Sequence, residues 1–201
     1  MIAVGLTGNI ASGKSTILSY IKKQNIPSHD SDVVVRCLYK NASKEFIEHL
    51  KLIGLIKSIK KQKIDKNLIR AKVLGDKQKL KYLEKFVHQK VSLSRDRFLK
   101  KNKRLRKKIV FLDIPLLFEN NLEGVCDYIL LAYCSTNLRK ARALYRKNIN
   151  KKDLKKFIKL QIPDRLKITK SDFIIDTSKS IEHTYAQTLK VLKKIKLKNK
   201  I

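Results

Sequence analysis

With 201 residues, 43% of them hydrophobic, the chain can bury one core of ordinary size, which excludes a wholly disordered polypeptide. Its 48 lysines and arginines against 17 acidic residues give a formal charge of +31, a field that attracts polyanions and phosphorylated ligands. No apolar stretch approaches the ~20 residues that cross a bilayer, so no membrane partner is expected.

Ile2–Thr7 predicts a buried first strand that runs into a glycine-containing loop, and Ser15–Gln24 predicts the helix after it. Ile26–Asp30 predicts a short second strand ending in an acidic turn. From about Asp32 to Lys103 the chain is lysine-rich, nearly free of glycine and mainly helical. Asp65 is placed to cap a helix over Asn67–Leu74, and Leu80, Leu83, Phe86, Val87, Val91 and Ser94 share one face at helical spacing. Ile109–Asp113 and Asp127–Tyr133 are continuous apolar runs of the kind that form buried parallel strands. Asn137–Lys147 and Lys151–Gln161 predict basic helices joined near Asn148–Asn150, and Asp172–Asp176 a last short strand. Ile181, Tyr185, Leu189, Leu192 and Ile195 stripe a closing helix, with a frayed lysine-rich tail beyond Leu197. Strands alternating with helices imply an α/β fold with a mainly parallel central sheet.

Met1 leads straight into Gly5-Leu6-Thr7-Gly8, without the basic region or small-residue cleavage site of a secretory leader. Cys37, Cys126 and Cys134 are scattered and form neither a disulfide framework nor a zinc-binding pair. A reducing, cytoplasmic setting is the expectation. The lysines do not gather in one tail but sit among periodic apolar residues, as in Leu189–Leu197. Two accounts of the charge stand: solvated helix faces in a composition biased toward Lys, Ile and Asn, or a basic surface that binds a polyanion.

Gly8-Asn9-Ile10-Ala11-Ser12-Gly13-Lys14-Ser15 matches G-x-x-x-x-G-K-[ST] in full, between a predicted strand and a predicted helix. The motif works only in that setting. Loop amides and the helix N-terminus face the phosphates of a nucleotide, where the helix dipole favours negative charge. Lys14 would reach the β- and γ-phosphates, Ser15 would ligate Mg²⁺, and Thr16 would lie beside the α-phosphate. ATP binding through Gly8–Thr16 is thus expected.

Asp30-Ser31-Asp32 follows the second strand, at the sheet edge where ligands of open parallel sheets bind. A carboxylate there fits two tasks equally: capping the next helix, or taking the proton of an attacking hydroxyl. His29, His49 and His183 show no grouping that suggests a metal.

Three segments together resemble the dephospho-CoA kinase family: Val4–Thr16, Asp30–Arg36, and Phe111-Leu-Asp-Ile-Pro-Leu-Leu-Phe-Glu119. The family reads G-L-T-G-G-I-G-S-G-K-S-T, D-A-D-x-x-x-R and D-x-P-L-L-F-E in that order. Arg142 and Arg146 match its R-x-x-x-R, Gln161-Ile-Pro163 with Lys167 its Q-x-P-x-x-x-K, and Asp172–Asp176 its A-D-x-V-I-x-N. The likeness runs from Ile2 to about Thr177 and is weakest between Lys40 and Leu80. Departures are Asn9 and Ala11 where the family has glycines, Gln89 in place of a proline after His88, and Lys147 in place of an acid after Arg146.

The resemblance implies a P-loop NTPase fold in one kinase domain over residues 1–201. Residues 1–31, 104–135 and 168–201 would form the nucleotide-binding core, 32–103 a helical acceptor-binding region and 136–167 a short lid. It implies phosphorylation of the ribose 3′-hydroxyl of dephospho-CoA by ATP with Mg²⁺, the last step of coenzyme A synthesis. Asp32 would be the base, Arg36 and His88 would hold the acceptor, and Pro115, Leu116 and Leu117 would wall its side. Lys14, Arg142 and Arg146 would neutralise charge on the transferring group. Asp113 is open to two roles, steadying the magnesium's ligands or acting as a buried structural carboxylate. No specific nucleic-acid partner is expected, and the assembly would be a monomer or a weak homo-oligomer. Two rivals are a kinase of the same architecture with another small alcohol as acceptor, and a nucleic-acid-stimulated ATPase exploiting the charge.

Overall fold

The computed structural model describes residues 1–60, 63–73, 75–145 and 151–201. In chain order the elements are β1 (Ile2–Thr7), α1 (Lys14–Lys23), β2 (Ser28–Asp30), α2 (Ser31–Lys40), α3 (Lys44–Leu52), β3 (Ile59–Lys60), β4 (Lys63–Ile64), α4 (Lys66–Val73), α5 (Lys77–Arg104), β5 (Ile109–Asp113), β6 (Tyr128–Tyr133), α6 (Thr136–Tyr145), α7 (Lys151–Lys159), α8 (Asp164–Thr169), β7 (Phe173–Asp176) and α9 (Ile181–Lys198). They divide into two compact units, one of residues 1–29 and 101–201, the other of residues 30–100.

The first unit is built on a five-stranded sheet of order β2-β5-β1-β6-β7. β1 lies at its centre, and five of its six residues are buried. It runs parallel to β5, with Leu6 opposite Asp113, and parallel to β6, with Thr7 opposite Leu131. β6 in turn runs parallel to β7, with Tyr133 opposite Asp176. This register brings the chain out at one edge at Gly8, after Asp113, after Tyr133 and at Thr177, so loops far apart in sequence converge there. Gly5 is required by packing: a Cβ would come within 2.5 Å of Cys126 Sγ and 2.9 Å of Leu117. The core joins Val4, Leu6, Phe111, Leu130 and Ile175 of the sheet to Ile17 and Ile21 of α1 and to Leu192 and Ile195 of α9. Ser180 starts α9 by accepting from His183 N–H at 3.2 Å. The closing helix ends where the sequence suggests, within one residue of Leu197. α9 continues to Lys198, and Ile201 N–H closes back on the Lys196 carbonyl at 3.0 Å.

The second unit is helical, as its composition predicts, around Phe46, Leu50, Leu55, Leu83 and Phe86. The Phe46 and Phe86 rings stack at 5.2 Å, and Tyr39 meets Phe46 edge-on at 5.2 Å. Its helix starts are marked by short polar side chains. Asp30 accepts from Val33 N–H, Ser43 from Phe46 N–H, Asp65 from Asn67 and Leu68, and Asp76 from Gln78 and Lys79. The antiparallel pair β3–β4 interrupts this helical region. Each strand is two residues long, too short to leave a period in the sequence. The joint expected near Asn148–Asn150 lies outside the described residues.

Candidate active site

The phosphate loop is held by its own backbone bonds and packs closely against Thr177 and Ala132. Within the loop, Ser12 N–H donates to the Asn9 carbonyl at 3.1 Å, and Thr16 and Ile17 N–H turn back on the Gly13 carbonyl at 3.0 and 3.3 Å. Gly13 is the residue that starts α1, at φ 85 in the left-handed region, and Ala11 also has φ 57. A Cβ on Gly13 would meet Thr177 atoms at 2.8 Å, and one on Gly8 would meet the Ala132 carbonyl oxygen at 2.6 Å. α1 has no side-chain cap and no acid in its first turn, so its N-terminal amides and dipole stay open to an anion. Ser12 Oγ is buried without a protein partner at the turn that would cradle phosphate.

Lys14 Nζ lies 2.5 Å from Asp113 Oδ1, both side chains largely shielded from water. The pair links the start of α1 to the end of β5, as the β1–β5 register allows. Ser15, next along, is exposed at the first turn of α1. Its hydroxyl is a hard oxygen donor suited to Mg²⁺. Among the described residues no group of three or more His, Cys, Asp or Glu assembles into a metal site.

A cavity of about 250 Å³ adjoins the loop, lined by Ala11, Gly13, Thr16, Arg142, Thr177 and Ile181 among others. Arg142 is fixed there, donating from Nη2 to the Thr177 carbonyl at 2.7 Å and from Nη1 to Thr177 Oγ1 at 3.2 Å. Thr177 Oγ1 also donates toward the Ser12 carbonyl at 2.7 Å. Thr177 therefore ties the phosphate loop to Arg142, a role the sequence pattern did not single out. Its only mark in the sequence is its place directly after the last strand. Just before it, the hydroxyl and backbone N–H of Ser178 hold the Asp176 carboxyl below the usual carboxylate range.

The other expected residues are distributed as follows. Pro115, Leu116 and Leu117 follow β5 in a turn. Leu117 is fully buried, so only the half-buried Pro115 and the exposed Leu116 offer surface to a ligand. In the second unit Asp30 and Asp32 separate the two tasks open to either: Asp30 Oδ1 caps α2 at 2.9 Å from Val33 N, while Asp32 stands exposed in the first turn. Arg36 is exposed one turn further along. His88 lines a cavity of about 300 Å³ with Tyr39, Ile69, Val73, Leu83 and others. Burial there pushes the Tyr39 hydroxyl above its ordinary pKa. Arg146 lies outside the described residues.

A strand, a phosphate-binding loop and a helix at the centre of a parallel sheet, with cations at the loop, define a P-loop kinase fold. Among solved structures, the chain superposes on a Thermus thermophilus crystal structure over 95% of each chain (TM-score 0.79, 27% identity). It also superposes on a dephospho-CoA kinase from Campylobacter jejuni over 98% of each (TM-score 0.71, 25% identity). A curated dephospho-CoA kinase from Bartonella henselae is 34% identical over 201 residues, 99% of this chain and 100% of that one. The family profile described as dephospho-CoA kinase matches residues 2–183. The chain belongs to the dephospho-CoA kinase family.

Proposed function

We propose that the protein transfers the γ-phosphoryl group of ATP to the ribose 3′-hydroxyl of dephospho-CoA, giving CoA and ADP, the last step of coenzyme A synthesis in the cytoplasm. The observation that carries this reading is the loop Gly8–Thr16 in its strand–loop–helix setting, with Lys14 at its end, in a chain whose relatives carry that name. Lys14 would leave Asp113 for the β- and γ-phosphates. Ser15 and phosphate oxygens would hold Mg²⁺, which offsets charge on the phosphoryl group when bound. Arg142, with Arg146, would add positive charge over the nucleotide.

The acceptor's residues are drawn from the second unit. Asp32, free of the capping task, would orient the 3′-hydroxyl and take its proton. Arg36 stands one helical turn from Asp32 and would meet the acceptor's diphosphate. Tyr39 is seven residues from Asp32, about 10 Å along the helix axis at 1.5 Å per residue. It lines the cavity of about 300 Å³ shared with Val73 and His88, whose mainly apolar lining also includes Lys66 and Glu84, a mix suited to the pantetheine arm. Residues 32–103 would thus be the acceptor-binding region, and 136–167 the lid.

Mg²⁺–ATP and dephospho-CoA in a coupled ADP-release assay, with the product weighed by mass spectrometry, test this. One phosphate gained, as CoA, is the expected result. No turnover from folded protein that still binds ADP overturns the acceptor assignment.

A further inference from the structure

The stretch Gln161–Lys167 carries a sequence motif with no evident task, and the structure ties it to the phosphate loop. Gln161 Oε1 accepts from Ile10 N–H at 3.0 Å. Asp164 Oδ1 accepts from Asn9 Nδ2 at 2.5 Å. The other Asp164 oxygen accepts from Arg139 Nη2 at 2.5 Å, with both Arg139 and Asn9 buried. The stretch is itself anchored by Glu119, whose Oε1 accepts from Ile162 N–H at 3.0 Å and lies 2.8 Å from the wholly buried Lys167 Nζ. That last contact lacks hydrogen-bond alignment, since Lys167 Nζ has no hydrogen-bond partner of its own. It acts as charge pairing.

Three features set Asp164 apart. It joins the phosphate loop, through Asn9, to α6, through Arg139. α6 also carries Arg142 one turn beyond Arg139, and Arg142 lines the nucleotide cavity beside Gly13 and Thr16. Position 9 is where this chain has a side chain and the family pattern has a glycine, which has no side-chain amide to donate to Asp164. The Asn9–Asp164 pair thus adds a side-chain link to the brace made by Gln161.

We propose that Asp164 is a positioning residue for the nucleotide. By holding Asn9 on one side and Arg139 on the other, it fixes the separation of the phosphate loop and Arg142 before ATP arrives. It touches no reacting atom, and its effect falls on nucleotide affinity. The proposal rests on reading Gly8–Thr16 as the ATP site, but not on the identity of the acceptor.

The test is titration of ADP into the full-length protein, followed by fluorescence of a labelled nucleotide in competition, for Asn9→Gly, Asp164→Asn and the double variant. A hydrogen bond to a charged group corresponds to about tenfold in affinity, so each single variant is expected to bind ADP about tenfold more weakly. The double variant should be no weaker than Asp164→Asn alone. In turnover, KM for ATP should rise about tenfold with kcat within about twofold and KM for the acceptor unchanged. Unchanged ADP affinity in both single variants overturns the proposal. So do losses that multiply in the double variant, which would make Asn9 an independent phosphate ligand. Should Asp164→Asn fail to fold, Asn9→Gly decides alone: it removes no charge, and unchanged ADP affinity overturns the proposal. ADP binding needs no acceptor, so a failed acceptor assignment leaves this result readable.

Discussion

Lys14 Nζ is 2.5 Å from Asp113 Oδ1, so the lysine that should meet the phosphates is held by a carboxylate at the end of β5. With side-chain exposures of 15% and 5%, the pair is shielded enough that removing one charge leaves the other costly. Asp113→Asn should destabilise the nucleotide-free protein by about 2 kcal/mol. Phosphates replace the lost partner of Lys14, so ADP should raise the melting temperature of the variant more than that of the wild type. Thermal melts with and without saturating ADP decide this. An equal deficit in both conditions would show that Lys14 does not exchange Asp113 for phosphate.

Asp30 and Asp32 differ in what α2 asks of them. Asp30 caps the helix through Val33 N–H, and Asp32 is exposed in its first turn. Asp32→Asn should lower kcat by ~10²–10⁴ while leaving ADP affinity and melting temperature unchanged. Asp30→Ala should do the reverse in kind, costing about 1 kcal/mol of stability. Steady-state rates and denaturant melts on the two variants separate the roles. A large loss of turnover in Asp30→Ala with none in Asp32→Asn would exchange them.

Val73 on α4 lines the cavity in the second unit. Val73→Phe would fill part of it. If the pantetheine arm lies there, KM for dephospho-CoA should rise about tenfold, kcat and KM for ATP should hold, and an acceptor that ends at the diphosphate, such as ADP offering its own 3′-hydroxyl, should be unaffected. Overpacking would instead show as about 1–3 kcal/mol lost in a melt with no selective KM change. That pattern would make the cavity a packing gap.

Most of the sheet was legible because β1, β5, β6 and β7 are mainly apolar runs, whereas β2 is the polar triplet Ser28-His29-Asp30; the phosphate loop was legible because its glycines and Lys14-Ser15 sit at fixed spacing. Asp65 as a helix cap was legible for the same local reason. The β3–β4 pair was not, since two-residue strands carry no period. Thr177 and Asp164 were missed, and Gln161 stood in a motif without a role, on different grounds: their roles come from the register of β6 with β7 and from contacts spanning 151 to 165 residues of chain. Short polar residues after a strand or between helices look alike in a sequence, whether they cap a turn or brace a distant loop. Leu117, expected at the acceptor's wall, faces Gly5 because β1 passes too close there to admit a side chain of its own.

The contact between Gly13 and Thr177 gives the sharpest test of how the loop is built. Gly13 has φ 85, and a Cβ there would lie 2.8 Å from Thr177 Cβ and Oγ1. An L-residue in the left-handed region costs about 1–2 kcal/mol before any clash. Relief would require Thr177 to withdraw from the Ser12 carbonyl and from Arg142. Gly13→Ala should therefore weaken ADP binding more than tenfold and lower the melting temperature. Gly13→Ala combined with Thr177→Ser, which removes the methyl Cγ2 from among the three crowding atoms but keeps the hydroxyl, should recover part of both. ADP titration and melts of the two variants measure this. No recovery in the double variant would place the whole cost in the backbone of Gly13, and none of it in the contact with Thr177.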